Sequence, residues 1–267
     1  MYFESYKISD PEESPAQITK YSGVKTAVDF LLACALMLAA APIIAVLAIL
    51  VKRASPGPAF YSQMRLGLNG RPFRIWKLRT MIHNCEAVTG PVWSGKHDER
   101  VTPIGRILRD THLDELPQLW NVLRGEMSLV GPRPERQEIA RRIEARVPGF
   151  GLRVLTKPGL TGLAQLRVPP DVDISDVPQK LAQDILYLRH QGLLLDLRIL
   201  ISTAFHFIAT GCTCLSKLFL VGLNPAEQVE MTRAEITNLR SRHTPSHSIS
   251  AVDPEPSRMP VELSVAA

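Results

Sequence analysis

A chain of 267 residues with 45% apolar residues has the size and composition of one large folded domain or two small ones. Its formal net charge of +5 suits anionic partners such as phosphates, nucleotides, acidic lipid or nucleic acid, and equally suits plain solubility. The four cysteines exclude a disulfide framework and a zinc site: Cys34 and Cys85 stand apart, and Cys212 and Cys214 form a C-x-C with no second pair and no nearby His. Reduced thiols in a cytosol-facing protein are the simplest reading.

Residues 1–22 form a polar, acidic leader with two prolines. Phe30 to Val51 then runs without a charge, and its 22 residues would measure about 33 Å as a helix against a hydrocarbon core of roughly 30 Å. A signal peptide fits poorly, because the leader is long and acidic and the apolar run exceeds an h-region. Two geometries remain open. Length favours a spanning helix. Pro42 near the middle and basic flanks on both sides (Lys20 and Lys25; Lys52, Arg53 and Arg65) favour a helix that bends and returns to its own face.

Beyond the Ser55-Pro56-Gly57-Pro58 turn cluster, residues 59–66 and 72–80 read as two strands joined through Asn69-Gly70, a hairpin signal. The two-residue period places Phe73, Ile75, Lys77 and Arg79 on one face, with Lys77 and Arg79 about 7 Å apart, suited either to diphosphate oxygens or to guarding a strand edge. Thr102 and Pro103 open a helix as cap and first residue. Leu113, Leu116, Leu119, Trp120 and Leu123 recur at helical spacing, with Gly125 as the stop. Thr111 and Asp114 have the spacing of a capping box, which sets Asp114 and Glu115 in a first helical turn. Residues 135–146 read as a charged helix and residues 155–166 as loop plus strand. Residues 179–210 read as a long helical region broken near Gly192, its second half amphipathic enough for a membrane interface or the core. Residues 240–267 have a disordered composition.

Acids in a first turn commonly serve only as caps. Company argues for more. Arg106 and Arg109 precede the pair, and Arg133 follows in a Pro-Arg-Pro corner whose prolines restrict its backbone. Guanidinium groups match phosphate in a bidentate way. A carboxylate approaching an anionic phosphate faces repulsion that a divalent cation relieves, and Mg²⁺ prefers carboxylate and phosphate oxygens. Covalent catalysis through an acyl-phosphate follows from that logic.

At these residues the chain resembles the bacterial sugar transferase family, the monotopic phosphoglycosyl transferases. The likeness runs through the apolar helix with Pro42, SPGPAFYSQMRLGLNGRPFRIWKLRTM, TPIGRILRDTHLDELPQLWNVLRGEMSLVGPRPE, TKPGLTGLAQ, and the late Asp184 and Tyr187, over roughly residues 22–210. It implies a mixed α/β fold, mostly helical with a small β-hairpin or sheet, a re-entrant N-terminal membrane helix and interfacial amphipathic helices. The implied layout is a leader (1–22), the re-entrant helix (23–53), a catalytic domain (54–210), a C-terminal extension (211–239) and a tail (240–267).

The implied activity is transfer of a hexose-1-phosphate from a UDP-sugar to polyprenyl (undecaprenyl) phosphate with release of UMP, starting exopolysaccharide or another lipid-linked glycan. It would run by a ping-pong mechanism with Mg²⁺ at the cytosolic face of the bacterial inner membrane. Carried over, Asp114 is nucleophile and metal ligand, and Glu115 its dyad partner in metal or proton handling. Arg109 organises the site, Arg133 binds phosphate, Lys77 and Arg79 face the diphosphate, and Gln165 lies on the nucleotide side. Membrane lipid is a partner, nucleic acid is not, and a homo-oligomer is left open. The chain departs from the pattern at Asp110, His112 and Ala41. Competing classes are a glycosyltransferase that releases UDP and a non-enzymatic basic membrane scaffold.

Overall fold

A computed structural model describes residues 18–85, 98–169 and 176–208. The leader as far as residue 17, the C-terminal extension, the tail, Cys212 and Cys214 lie outside the described residues.

Helix α1 (Ile18–Ala54) contains the whole apolar run and continues through Pro42. Its segment Gly23–Ala54 is long and apolar enough to cross a membrane. Much of its surface is bare: Leu31, Leu38, Ile43, Val46 and Ile49 are exposed, while Lys25, Asp29, Ala33, Ala40 and Val51 are buried. The buried set runs nearly the length of the helix, so α1 packs along the rest of the protein at both ends. At the far end Val51 joins Leu78 and Leu108, with Leu47 and Ala48 beside them.

The near end is held by charge. Lys25 Nζ bonds the Asp196 carboxylate and lies 3.8 Å from Asp29. Asp29 accepts from Ser128 Oγ at 2.7 Å and from the Leu129 amide at 3.3 Å. Tyr187 Oη donates to Asp196 at 2.8 Å. Such a cluster is tolerated in the interior because its charges are paired and hydrogen-bonded.

Strands β1 (Phe60–Leu66) and β2 (Pro72–Leu78) form the antiparallel hairpin anticipated from the alternation, in register Phe60 with Leu78 through Leu66 with Pro72. Asn69 (φ 55°) and Gly70 (φ 70°) take the positive φ that the turn demands. Helix α2 (Pro103–Asp110) opens on Thr102, whose side chain accepts from the Gly105 amide at 3.0 Å. A 3₁₀ turn (Leu113–Gln118) leads into α3 (Leu119–Leu123). The chain stops at Gly125, at φ 72°.

A second sheet was not foreseen. β3 (Ser128–Val130) pairs in parallel with β4 (Gly159–Thr161), linked through α4 (Gln137–Arg146) and a second 3₁₀ turn (Phe150–Leu155). The approach is tight: a Cβ on Gly159 would stand 2.0 Å from the Gly131 amide nitrogen, so no larger residue fits there. Residues 155–166, expected as loop plus strand, also contain helix α5 (Leu163–Arg167). The late helical region divides as expected around Gly192, into α6 (Val177–His190) and α7 (Leu193–Ile208). The main core brings Phe73 and Ile75 of β2 together with Leu119, Met127, Val130, Leu163, Tyr187 and Ile199. The architecture is therefore mostly helical with two small sheets.

Candidate active site

The 3₁₀ turn is where the structure departs most from the expected local geometry. The Thr111–Asp114 capping box does not form. Thr111 closes α2, and its hydroxyl donates back to the Ile107 carbonyl at 2.7 Å. His112 precedes the turn in the left-handed region at φ 54°, with no side-chain cap. Only two residues separate α2 from the turn, so the chain must reverse there, and Thr111 is used up by the helix before it. Asp114 and Glu115 thus lie in a 3₁₀ turn that also contains Pro117, rather than in the first turn of an α-helix, which starts only at Leu119. A turn this short carries little of the aligned dipole that a helix start would offer a carboxylate.

What surrounds the dyad is side-chain charge. Lys77, near the end of β2, donates from Nζ to Glu115 Oε1 at 2.7 Å. Arg133 forks onto the same carboxylate, Nη2 to Oε1 at 2.5 Å and Nη1 to Oε2 at 3.2 Å. This is the bidentate geometry expected of guanidinium and carboxylate. Burial acts to raise the Glu115 pKa, but Arg133 and then Lys77 outweigh it and hold the group far below the usual carboxylate range. Glu115 is a fixed anion. Arg133 is pushed upward in turn by Glu115.

Asp114 differs from its neighbour. It is 7% exposed, and no described residue hydrogen-bonds its carboxylate. Burial raises its pKa, offset in part by Lys77, with Glu115 adding to the rise and Arg133 and Arg109 opposing it. A carboxylate left without hydrogen bonds among cations keeps its lone pairs for a reaction or for a metal. Lys77 is half-buried, and its partial burial lowers its pKa while Glu115 opposes the drop.

The other expected residues divide. Arg109 donates from Nε to Thr80 Oγ1 at 2.9 Å, at the edge of the cluster. Arg79 turns elsewhere: its guanidinium is spent on the carbonyls of Pro56 and, at 2.8 Å, Ser55. The strand face that joined Lys77 to Arg79 ends at Leu78, and the two head groups separate. Gln165 donates to the Leu160 carbonyl at 3.2 Å and shares no hydrogen bond with Lys77, Glu115 or Arg133.

Two supporting residues escaped the sequence reading. Fully buried Asn121 accepts from the Trp76 amide at 3.2 Å and donates to the Arg74 carbonyl at 2.8 Å, pinning β2 where Lys77 leaves it. The only signal was an Asn inside an otherwise apolar helical stripe. Arg153 reaches the Arg133 carbonyl at 3.0 Å, and nothing in its spacing announced that.

The family profile described as bacterial sugar transferase matches residues 20–210, which include every side chain of this cluster. The chain belongs to the bacterial sugar transferase family. It is 43% identical over 188 residues to the UDP-glucose:undecaprenyl-phosphate glucose-1-phosphate transferase of Caulobacter vibrioides, covering 70% of each chain. An exopolysaccharide production protein of Rhizobium leguminosarum is 37% identical over 70% of this chain and 96% of its own. The UDP-N-acetylgalactosamine-undecaprenyl-phosphate N-acetylgalactosaminephosphotransferase of Aeromonas hydrophila is 36% identical over 72% of this chain and 45% of its own. The sugar therefore varies among relatives of this sugar transferase.

Proposed function

We propose that this protein moves a hexose-1-phosphate from a UDP-sugar to undecaprenyl phosphate, releases UMP, and so begins a lipid-linked glycan. The observation that carries the reading is the contrast at the dyad: Glu115 is saturated by two cations, while Asp114 beside it is buried and uncommitted. In the first step an Asp114 carboxylate oxygen attacks the sugar-bearing phosphorus of the diphosphate. The P–O bond to the UMP phosphate breaks, and UMP leaves with that bond's electron pair. In the second step an oxygen of undecaprenyl phosphate attacks the same phosphorus and Asp114 is regenerated. Splitting the transfer this way lets one site serve a soluble donor and a lipid acceptor in turn. Lys77 and Arg133 are the charges available to the diphosphate, and Glu115 keeps both aimed at the site until the substrate arrives.

Mg²⁺ fits this donor set. It is usually held by one or two carboxylates with substrate phosphates and water supplying the remaining oxygens. Asp114 offers an open carboxylate, whereas Glu115 could join only by giving up a bond to Lys77 or Arg133. When bound, the ion would lower the repulsion between Asp114 and the diphosphate.

Both ends of α1 pack on one domain, through Lys25 and Asp29 near the start and Val51 near the end. A helix crossing a hydrocarbon core of roughly 30 Å would carry its ends to opposite faces. The packing supports a helix whose two ends stay on the cytosolic side of the inner membrane, with its bare face in lipid. Cysteines introduced at Gly23 and Ser55, in a background without the native thiols, should react with an impermeant reagent from the same side only.

The deciding experiment supplies a panel of UDP-sugars with undecaprenyl phosphate and identifies the nucleotide product. UMP is expected, and UDP would exclude the reaction. With the acceptor withheld, intact mass should show one phosphosugar adduct on the wild type and none on Asp114→Asn. Undiminished turnover in chelator would remove the metal from the scheme.

A further inference from the structure

The corner from Pro132 to Glu135 poses a hydrogen-bonding problem. Two of its residues are prolines and have no amide proton, so the backbone must be fixed largely through its carbonyls. All of them are held. The Pro132 carbonyl accepts from the Gly159 amide at 2.9 Å, and the Glu135 carbonyl from the Leu66 amide at 2.9 Å. The inner two accept from guanidinium groups: Pro134 from Arg65 at 3.4 Å and Arg133 from Arg153 at 3.0 Å.

Each of those arginines is backed by a carboxylate. Arg65 pairs with Glu135 at 2.9 Å, inside the corner itself. Arg153 pairs from Nε with Asp184 at 2.6 Å, on the distant helix α6. The second pair is the more enclosed, with side-chain exposures of 12% for Arg153 and 2% for Asp184. The Arg153 guanidinium also lies over the Phe150 ring, 4.6 Å from its centre, which fixes its plane. Its three anchors are thus a carboxylate, an aromatic face and one backbone carbonyl. That carbonyl belongs to the residue whose own side chain grips Glu115.

We propose that Arg153, locked by Asp184, is a positioning residue for Arg133. By fixing the Arg133 carbonyl it sets the peptide plane from which the guanidinium fork departs. The fork must leave Glu115 to meet the diphosphate, and a fixed backbone makes that swing reproducible. Arg153 itself does not touch substrate. The inference rests on the reading of Arg133 as a diphosphate ligand.

The test uses full-length protein in nanodiscs, with the UDP-sugar the wild type prefers and undecaprenyl phosphate. Arg153→Gln should lower kcat/KM by about 10- to 100-fold, as expected for misplacement of a binding group. Most of the loss should appear as a higher KM for the UDP-sugar. Arg153→Lys keeps the charge but loses the two-sided reach, and should recover only part of the activity. Asp184→Asn should move KM in the same direction with α6 left in place.

The decisive measurement is a double-mutant cycle with Arg133→Lys. If Arg153 acts through Arg133, adding Arg153→Gln to Arg133→Lys should cost less than about threefold more, because residues acting as a unit are not additive. Independent, multiplying losses would mean that Arg153 has its own contact with substrate, and would overturn the proposal. So would lowered thermal stability with unchanged KM in both Arg153→Gln and Asp184→Asn. A wild type that releases no UMP from any UDP-sugar would defeat the functional reading first, and the positioning role with it.

Discussion

Among the described residues, the ion cluster at the base of α1 and the one at the dyad are built to opposite plans. At the base of α1, one cation (Lys25) serves two carboxylates (Asp29 and Asp196), and Ser128, the Leu129 amide and Tyr187 complete their hydrogen bonds. At the dyad, two cations (Lys77 and Arg133) serve one carboxylate (Glu115), and a second carboxylate, Asp114, takes no hydrogen bond from any described residue. In the first cluster every charge is paired and closed in among neighbours, with side-chain exposures of 8% for Lys25, 11% for Asp29 and 8% for Asp196. The second is open, with the Arg133 side chain 47% exposed at its rim. A buried charge network closed in this way resists change, because removing any partner strands another charge. An open one keeps charge in reserve for a substrate, at the cost of carrying a desolvated carboxylate.

The largest expected effect breaks the open cluster. Asp114→Asn should cut UMP release by about 10⁴-fold or more, the scale of removing a nucleophile, while the protein remains folded by circular dichroism. Substantial residual turnover would place the reacting carboxylate elsewhere. Next comes the closed cluster. Lys25→Met strands two carboxylates and should cost about 3–5 kcal/mol of stability, read as a lowered denaturation midpoint in detergent. The KM of the enzyme that remains folded should be unchanged. A neutral result would show that α1 is docked by its apolar contacts alone.

Glu115→Gln should be milder for stability, about 1–3 kcal/mol, because both cations it releases, the exposed Arg133 and the half-buried Lys77, can reach water. It should still weaken UDP-sugar binding, since Lys77 and Arg133 lose the anion that aims them. The smallest effect concerns pH. The Asp114 pKa is raised in the folded protein, so the native state holds the proton more tightly than the unfolded chain does. Stability from this group is complete below the unfolded value of about 3.9 and declines as pH rises through the higher folded value. Asn has no such dependence. In metal-free buffer, melting of Asp114→Asn relative to wild type should therefore improve from pH 4 to pH 7. A constant offset would indicate that burial leaves Asp114 unperturbed.

Local signals carried well into structure where the element was set by its own residues. The hairpin followed from alternation and Asn69-Gly70, and the start of α2 from Thr102 and Pro103. The break near Gly192 was equally legible. The failures have two causes, pairing between segments distant along the chain and the exact residue at which a neighbouring element ends. β3 and β4 are three residues each, too short to show a period, and they form only by pairing across the α4 segment. The dyad turn looked like a helix start because its apolar residues continue into α3, while the reversal at His112 depends on where α2 ends. At the site, Lys77, Glu115 and Arg133 were anticipated and do converge. Arg79 was placed with them by strand periodicity, and the strand ends one residue too soon. Lys25 with Asp196 and Arg153 with Asp184 link residues too far apart for spacing to reveal.

The Lys25–Asp196 bond also sets an order of events during synthesis. The two residues are 171 positions apart, and the part of that span beyond the end of α1 at Ala54 takes roughly 7–28 s of translation at about 5–20 residues per second. For that interval α1 is finished but its seat is not. A long apolar segment emerging ahead of its docking site must be received by a membrane or a chaperone, or it aggregates. A nascent chain received by a membrane in that interval would be placed there before α7, which carries Asp196, is made.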